Sequence, residues 1–313
     1  MSDSWERDAL QDLLTASLKE QRRARRWGIF FKLLTFGYLT VSVLLVFGAI
    51  SASRSEAIST EPHTAVVRLE GVIAPGSEGA DSVMLIDGLK AAFEDKNTKA
   101  VLIQANSPGG SPVQSGIVYD EMLRLRKLYP KIPLYVVIED VCASGCYYIA
   151  AAGDKIYADK ASIVGSIGVL MDGFGFTGTM EKLGVQRRLL TAGSNKGFLD
   201  PFSPLDENQK AKAQVMLDEI HQQFITAVKE GRGKRLVTDN PDLFSGMVWS
   251  GAAGKELGLV DGLGSVDSVA RDVVKVEKLV DFTPQASFAD RIARQIGVSA
   301  ATHLSSQLQF QLR

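Results

Sequence analysis

Hydrophobic residues follow three different spacings along the 313-residue chain. Residues 1–26 are polar with scattered leucine and alanine, a pattern that predicts an amphipathic or disordered tail. Residues 27–50 are mostly apolar, and a helix of this length is able to cross a bilayer. From residue 64 onwards short apolar runs alternate with segments of helical spacing, which predicts an α/β domain after a polar linker at 51–63.

Four arginines, at positions 22, 23, 25 and 26, come directly before the apolar run. By the positive-inside rule they place the N-terminus in the cytoplasm and the domain on the other side of the membrane. A cleaved signal peptide is the alternative, since Ser51, Ala52 and Ser53 are small enough for a cleavage site. The charged leader is long for a signal peptide, so we expect a retained single-pass anchor.

The domain is expected to span residues 64–280. Apolar runs predict strands at 65–69, 100–105, 134–138 and 155–158, and helical spacing predicts helices at 81–93, 113–129 and 205–230. Residues 162–170 predict a further strand in which two glycines indicate a bulge or a close backbone approach, and 181–190 predict a helix end that passes into a strand. The polar residues 281–313 are expected to form a peripheral tail that contacts partner subunits.

Charge and cysteine content exclude several classes of protein. The 35 basic and 36 acidic residues leave a net charge of −1, so nothing in the composition points to nucleic acid. The two cysteines, Cys142 and Cys146, are too few for a disulfide framework and have no neighbours suited to a metal site. We expect them to be small buried residues, and we expect no metal or cofactor.

Ser144 lies in the stretch VCASGCYYIAAAGD, directly after an apolar strand and before a helix-like run. A serine at this turn is next to a helix N-terminus, where backbone N–H groups lack partners and are able to bind an oxyanion. Two interpretations follow from this position. Ser144 either caps the helix or acts as a nucleophile.

A serine nucleophile needs a base, and the three histidines are poorly placed to supply it. His63 falls in the predicted linker, His221 within the long helix and His303 in the tail, so a Ser-His-Asp triad is disfavoured. A lysine is able to replace histidine in an enclosed apolar site, because desolvation favours the neutral amine. Lys196, within the loop segment GSNKGFL, suits that requirement better than the other lysines, although a solvated loop lysine is the simpler interpretation of Lys196 alone.

Four motifs follow one another in order, each at the end of a predicted strand: SPGGS, ASGCYYIAAAGD, VGSIGVL and NKGFLDPFSP. This arrangement resembles the signal peptide peptidase family of bacterial membrane-anchored serine proteases, in the short form with one catalytic domain. The resemblance implies a role for each matched residue. Ser144 would be the nucleophile, Lys196 the general base, Ser166 the serine that orients the lysine, and Gly109, Gly110 and Gly145 the oxyanion-hole residues.

The resemblance also implies a fold, a location and partners. The fold would be α/β, a Clp- and crotonase-like stack of ββα and βαβ units after one transmembrane helix. The location would be the bacterial inner membrane with an extracytoplasmic catalytic domain, and the substrates would be remnant signal peptides and other short apolar peptides. A homo-oligomeric ring or dome is expected. Two positions depart from the family pattern, Cys146, where the family often has glycine, and Asn195, where it often has an aromatic residue.

Two other functions stay open from the sequence. One is a crotonase-type acyl-CoA enzyme that uses the same oxyanion loops without a nucleophile, although its substrate would be cytosolic. The other is a non-catalytic membrane scaffold in which Ser144 is a cap and Lys196 is a surface residue.

Overall fold

The computed structural model describes residues 3–54, 60–77 and 79–284. They belong to two compact units, of which one contains helix α1 (Asp3–Arg54) and the other begins at the end of the linker. Residues 19–45 of α1 have the length and mean hydropathy needed to cross a membrane, and no other helix within the described residues does. Helix α1 therefore fits a membrane anchor.

Helix α1 extends across the segment boundaries predicted from composition. It runs without interruption from the predicted tail through the predicted anchor and into the linker. The linker also ends one residue early, because His63 already belongs to the first strand. Two predicted segments lie partly outside the described residues. Residues 55–59, in the middle of the predicted linker, are not described, and neither are residues 285–313, which make up most of the predicted tail.

The second unit is built on one mixed sheet of eight strands. Every pairing in the sheet is parallel except that between β5 and β6. The strands are β1 (His63–Glu70), β2 (Thr98–Ser107), β3 (Leu134–Ala143), β4 (Lys155–Ala158), β5 (Ile163–Gly165), β6 (Val248–Ser250), β7 (Gly262–Leu263) and β8 (Leu279–Asp281). The order across the sheet is β6-β5-β3-β2-β1-β8, and β4 and β7 branch from β3.

Strand β3 is the point at which the sheet divides. Its first half, Tyr135–Ile138, pairs with β4, whereas Val141–Ala143 pair with β5 on the same side. The other side of β3 pairs with β2 along most of its length. Because parallel strands end at the same edge of a sheet, this division brings the chain segments that follow β2, β3 and β5 together.

Helices cover the sheet, and their starts follow from capping residues. Asp81, Ser111 and Asp206 each accept hydrogen bonds from backbone N–H groups in the first turn of the helix that follows. The helices are α2 (Ser82–Glu94), α3 (Pro112–Leu128), α4 (Gly145–Ala150), α5 (Thr177–Lys182), α6 (Glu207–Arg232), α7 (Gly251–Glu256) and α8 (Val266–Ser268), which continues as a π-helical turn, Val269–Val274.

The predicted α/β class is confirmed, with its parallel strands and intervening helices. The prediction of a strand over 162–170 was wrong beyond residue 165, because Ser166 has φ of 51° and leaves the sheet there. The strand predicted near residue 190 is also absent from the described structure, where only α5 is regular between 170 and 206. Leu189 and Leu190 are exposed, so their apolar character does not report a core strand.

Candidate active site

Ser144 lies in a constrained turn between β3 and α4. Its φ of 52° and ψ of −124° are unusual for a residue with a Cβ, and such conformations cost about 1–3 kcal/mol. The Ser144 N–H donates to the carbonyl oxygen of Gly165 at 2.9 Å, and its own carbonyl accepts from Tyr148 N–H at 3.0 Å. The side chain makes no capping hydrogen bond, so the interpretation of Ser144 as a helix cap was wrong.

Two backbone N–H groups lie beside Ser144. Gly145 is the first residue of α4, so its N–H has no partner within the helix. Gly110 forms a parallel bridge with Ile73, in which Ile73 N–H donates to Gly109 and Ile73 carbonyl accepts from Ser111, so the Gly110 N–H points the other way. A Cβ built on Gly145 would lie 3.3 Å from Gly110 N, which shows how closely the two loops approach.

Gly109 has a different part in this arrangement. Its N–H donates to Ser107 Oγ at 3.1 Å and is therefore already occupied. With φ of 101° it also passes so close to the turn at Ser144 that an added Cβ would lie 2.8 Å from both Gly145 N and Ser144 Cβ. Of the three glycines expected to form an oxyanion hole, Gly110 and Gly145 have N–H groups available, and Gly109 allows the loops to meet.

Ser144 opens into a cavity of about 1000 Å³ between α3, α4, α6 and the loop after β5. Gly110, Gly145 and Ser166 line it together with Ser144. The remaining wall is largely apolar, and it includes Val113, Ile117, Tyr148, Val169, Leu170, Ile220 and Phe224, with Asp120 and Gln223 as polar members. The cavity has the size and lining of a site for an apolar side chain or peptide segment.

Ser166 is held beside Ser144 by the sheet. Ala143 pairs with Gly165 between β3 and β5, which puts the residues that follow them next to each other. The Ser166 N–H donates to Met247 carbonyl at 2.8 Å, and this bond fixes its left-handed backbone conformation. Ser166 therefore faces the same cavity as Ser144, as the motif positions had suggested.

Lys196 lies outside this constellation. Its side chain is exposed, and it is not among the described residues that line the cavity. It belongs to the segment 169–206, which is exposed over most of its length and contains Leu170, Phe174 and Leu190 with exposures of 80%, 78% and 96%. One copy of the chain does not bring Ser144 and Lys196 into one pocket.

Cys142 and Cys146 form a disulfide bond, with their Cα atoms 5.1 Å apart. Both side chains are fully buried, as expected from the sequence, but the expectation that they would only fill space was wrong. Two cysteines are too few for a disulfide framework, but they are enough for this single bridge. The turn at Ser144 reverses the chain direction, so the second residue of α4 comes back over the end of β3.

A buried polar network supports α4 from behind. Tyr147 is completely buried and donates its hydroxyl to Leu259 carbonyl at 2.7 Å, and burial raises its pKa. Arg232, also buried, donates to Gly258 carbonyl and pairs with Asp261 at 2.7 Å. Burial alone would raise the pKa of Asp261, but hydrogen bonds from Arg232 and the Ile156 N–H outweigh it and lower that pKa.

The described histidines do not reach Ser144. His63, predicted in the linker, is fully buried at the start of β1, where its ring stacks on Phe282 and its Nδ1 donates to the Glu61 carbonyl at 3.0 Å. His221 lies on α6, and its Nε2 is 3.0 Å from Ile167 carbonyl. It therefore fixes the loop after Ser166 and is not part of the cavity lining in the described structure. His303 lies outside the described residues.

The walls of the cavity were not identified from the sequence. Leu217 and Ile220 follow the helical spacing of the apolar residues of α6, yet both are only half-buried, and Ile220 lines the cavity. Ile117 is 45% exposed on α3 for the same reason. Apolar residues on one face of a helix indicate that this face packs against other apolar groups. A substrate bound in a cavity supplies such groups as well as a protein core does.

Comparisons with known proteins identify a peptidase family. The model of peptidase family S49 matches residues 126–281, which contain Ser144, Ser166 and Lys196. A Synechocystis protein (strain PCC 6803) provisionally named a protease is 32% identical over 207 residues, covering 66% of this chain and 72% of that protein. An Enterococcus faecium protein provisionally named signal peptide peptidase SppA is 34% identical over 195 residues, covering 62% of this chain and 56% of that one.

Another relative carries an unrelated name. A Brucella abortus protein named Na(+)/H(+) antiporter NhaA is 43% identical over 263 residues, which is 82% of this chain. The chain spans only 35% of the length of that relative, so the name says nothing about the matched part. This chain contains the peptidase-family segment and, among its described residues, one candidate membrane helix. The chain therefore belongs to peptidase family S49, as a member of the signal peptide peptidase SppA type.

Proposed function

We propose that this peptidase uses Ser144 as its nucleophile and Lys196 as its general base. The observation that carries the proposal is the turn at Ser144, which has a costly backbone conformation, no capping bond and an opening into the cavity. A strained, uncapped serine beside two available N–H groups is the arrangement that acyl transfer requires.

The reaction would proceed through an acyl-enzyme. Neutral Lys196 takes the proton of Ser144 Oγ as the oxygen attacks the peptide carbonyl, and the N–H groups of Gly110 and Gly145 stabilise the oxyanion. Protonated Lys196 gives the proton to the leaving amine as the peptide bond breaks. Water, deprotonated by Lys196, then hydrolyses the ester and restores Ser144. Ser166 would hold the lysine amine in line with Ser144.

We propose that Lys196 reaches the cavity from a second copy of the chain. Within one copy it is exposed and outside the cavity, although Ser144, Ser166, Gly110 and Gly145 all line the cavity. The segment that contains Lys196 also exposes large apolar residues, and exposed apolar surface of this extent is typical of a protein interface. Packing of that segment against a neighbour would bury these residues and would enclose the amine, which favours its neutral form.

The substrates we propose are remnant signal peptides and other short apolar peptides. The cavity wall is formed mainly by aliphatic and aromatic side chains of α3, α6 and the loop after β5, with Tyr148 from α4, which suits an apolar residue next to the scissile bond. Helix α1 would hold the enzyme in the bacterial inner membrane, with its N-terminus in the cytoplasm and the peptidase domain on the extracytoplasmic side. Such peptides are left in the same membrane.

The assignment is tested with the full chain in detergent and a fluorophosphonate probe, which labels activated serines. We expect labelling at Ser144 and hydrolysis of apolar peptides, both lost in Ser144→Ala. Ser77→Ala is the matched control, because within the described residues Ser77 Oγ donates to Ala74 carbonyl alone and does not line the cavity. An unlabelled but folded wild-type protein would instead favour the crotonase-type enzyme or the scaffold.

A further inference from the structure

We propose that the Cys142–Cys146 disulfide is a positioning element for the nucleophile turn, so that activity requires the oxidised pair. The inference rests on the proposed role of Ser144. It concerns what holds Ser144 and the Gly145 N–H in place, a task that the hydrogen bonds of the turn perform only in part.

The disulfide closes a short loop of chain that contains Ser144 and Gly145. Only Ala143, Ser144 and Gly145 lie between the two cysteines. Cys142 is fixed in the sheet, because it pairs with Ser107 of β2 on one side and Val164 of β5 on the other. Cys146 belongs to the first turn of α4. The disulfide therefore ties the start of the helix to the best-anchored end of the strand.

Backbone strain favours a change of conformation in the Ser144 turn when the disulfide is absent. Ser144 has φ of 52°, and a conformation of this kind persists only where the surroundings over-determine it. Helix α4 has six residues, too few to be stable without tertiary support. Without the covalent link, the first turn of α4 is free to relax away from β3 and to carry Gly145 N–H out of line with Gly110.

Such relaxation would affect the reaction more than the binding of substrate. The cavity is formed mainly by α3, α6 and the loop after β5, so KM should change little. A displacement of about 1 Å at the reacting groups is able to cost roughly a hundredfold in rate. We therefore expect kcat to fall about tenfold or more when the bond is removed.

Three variants of the full-length protein distinguish the effect of losing the disulfide from the effect of losing cysteine side-chain volume. They are Cys142→Ala, Cys146→Ala and the double variant. Because each removes the same bond, all three should lose the same factor in kcat, whereas lost packing would add in the double variant. Ile149→Val is the control for packing, because Ile149 is a buried residue of the same helix. It should lower Tm while leaving kcat unchanged.

Reduction of the wild-type protein tests the inference without a substitution. A dithiol reductant converts the disulfide to two thiols and is itself oxidised to a cyclic disulfide, and glutathione disulfide reverses the change by accepting the two hydrogens. Alkylation and mass spectrometry give the reduced fraction. Peptidase activity and fluorophosphonate labelling should fall in proportion to this fraction and recover on oxidation, with the circular dichroism spectrum unchanged.

The outcomes distinguish the two proposals. Oxidised protein that is active and labelled at Ser144, but equally active when reduced, would overturn this inference and leave the peptidase mechanism intact. Free thiols in the purified active protein would do the same. Oxidised, folded protein that neither reacts with the probe nor hydrolyses peptides would overturn both.

Discussion

Ser144 N–H donates to Gly165 carbonyl across 2.9 Å, and this bond joins the nucleophile turn to the loop that carries Ser166. The two serines follow paired residues at the ends of β3 and β5. Both have positive φ, 52° at Ser144 and 51° at Ser166. The same sheet edge thus directs both hydroxyls towards one cavity, and a change in either loop is transmitted to the other.

Ser166→Ala should lower kcat by roughly tenfold to a hundredfold, since a misdirected general base loses part of the 10²–10⁴-fold that proton transfer supplies. KM should stay close to that of the wild type, because the apolar walls are untouched. Steady-state kinetics on an apolar peptide measure both parameters, with Ser77→Ala as the control. An unchanged kcat would remove Ser166 from the mechanism.

A mixture of Ser144→Ala and Lys196→Ala chains should recover activity that neither variant has alone. If each site takes its serine and its lysine from different copies, about a quarter of the sites in a randomly mixed assembly contain both groups. Subunits are mixed by co-expression or by exchange in detergent, and peptide hydrolysis is measured against the wild type.

Lys182→Ala is the matched control in that experiment, because Lys182 is an exposed lysine of the same segment. It should remain active alone. If the mixture stays inactive while a Ser144→Ala, Lys196→Ala double variant mixed with wild type behaves as a simple dilution, the lysine acts within its own chain.

Gly145→Ala should reduce kcat sharply because the added Cβ would lie 2.5 Å from Ser115 Oγ and would push the Gly145 N–H out of place. Loss of one oxyanion donor costs about 10²–10³ in rate. Ser115→Ala removes the clashing oxygen, so the Gly145→Ala, Ser115→Ala double variant should recover part of the loss.

A kinetic double-mutant cycle measures this recovery. Ser115→Ala alone should be nearly as active as the wild type, since among the described residues its hydroxyl donates only to the carbonyl of Ser111, the N-cap residue of α3. Additive losses in the double variant would contradict the steric account.

Asp261→Asn should lower the free energy of unfolding at neutral pH by about 3 kcal/mol, because it leaves the buried Arg232 without its counter-charge. The pKa of Asp261 is lowered in the folded protein, so its contribution to stability is present above about pH 4 and is lost as the pH falls further. The wild type should therefore lose more stability on acidification than the variant does. Denaturant unfolding at several pH values measures this, with the exposed Asp272→Asn as a control that leaves the unfolding transition unchanged.

The sequence predicted the strands and helices that build the core, because their apolar positions have one clear period. It also predicted that Ser144 and Ser166 follow strand ends, and these two residues do share a cavity. The disulfide was not predicted, since the reversal of the chain at Ser144 depends on a backbone conformation that residue types do not reveal. The strands predicted beyond residue 165 and near residue 190 were wrong for a different reason, because apolar residues there, such as Leu170 and Leu190, are exposed in a single copy.

The exposed position of Lys196 has a consequence for a newly made chain. If Lys196 is supplied only by a neighbouring copy of the chain, a single folded copy has a Ser144 nucleophile that it cannot activate. The enzyme would then be latent during synthesis and membrane insertion, and local subunit density would decide when proteolysis begins. Cells would need no inhibitory propeptide to protect nascent membrane proteins, because assembly itself would serve as the activating step.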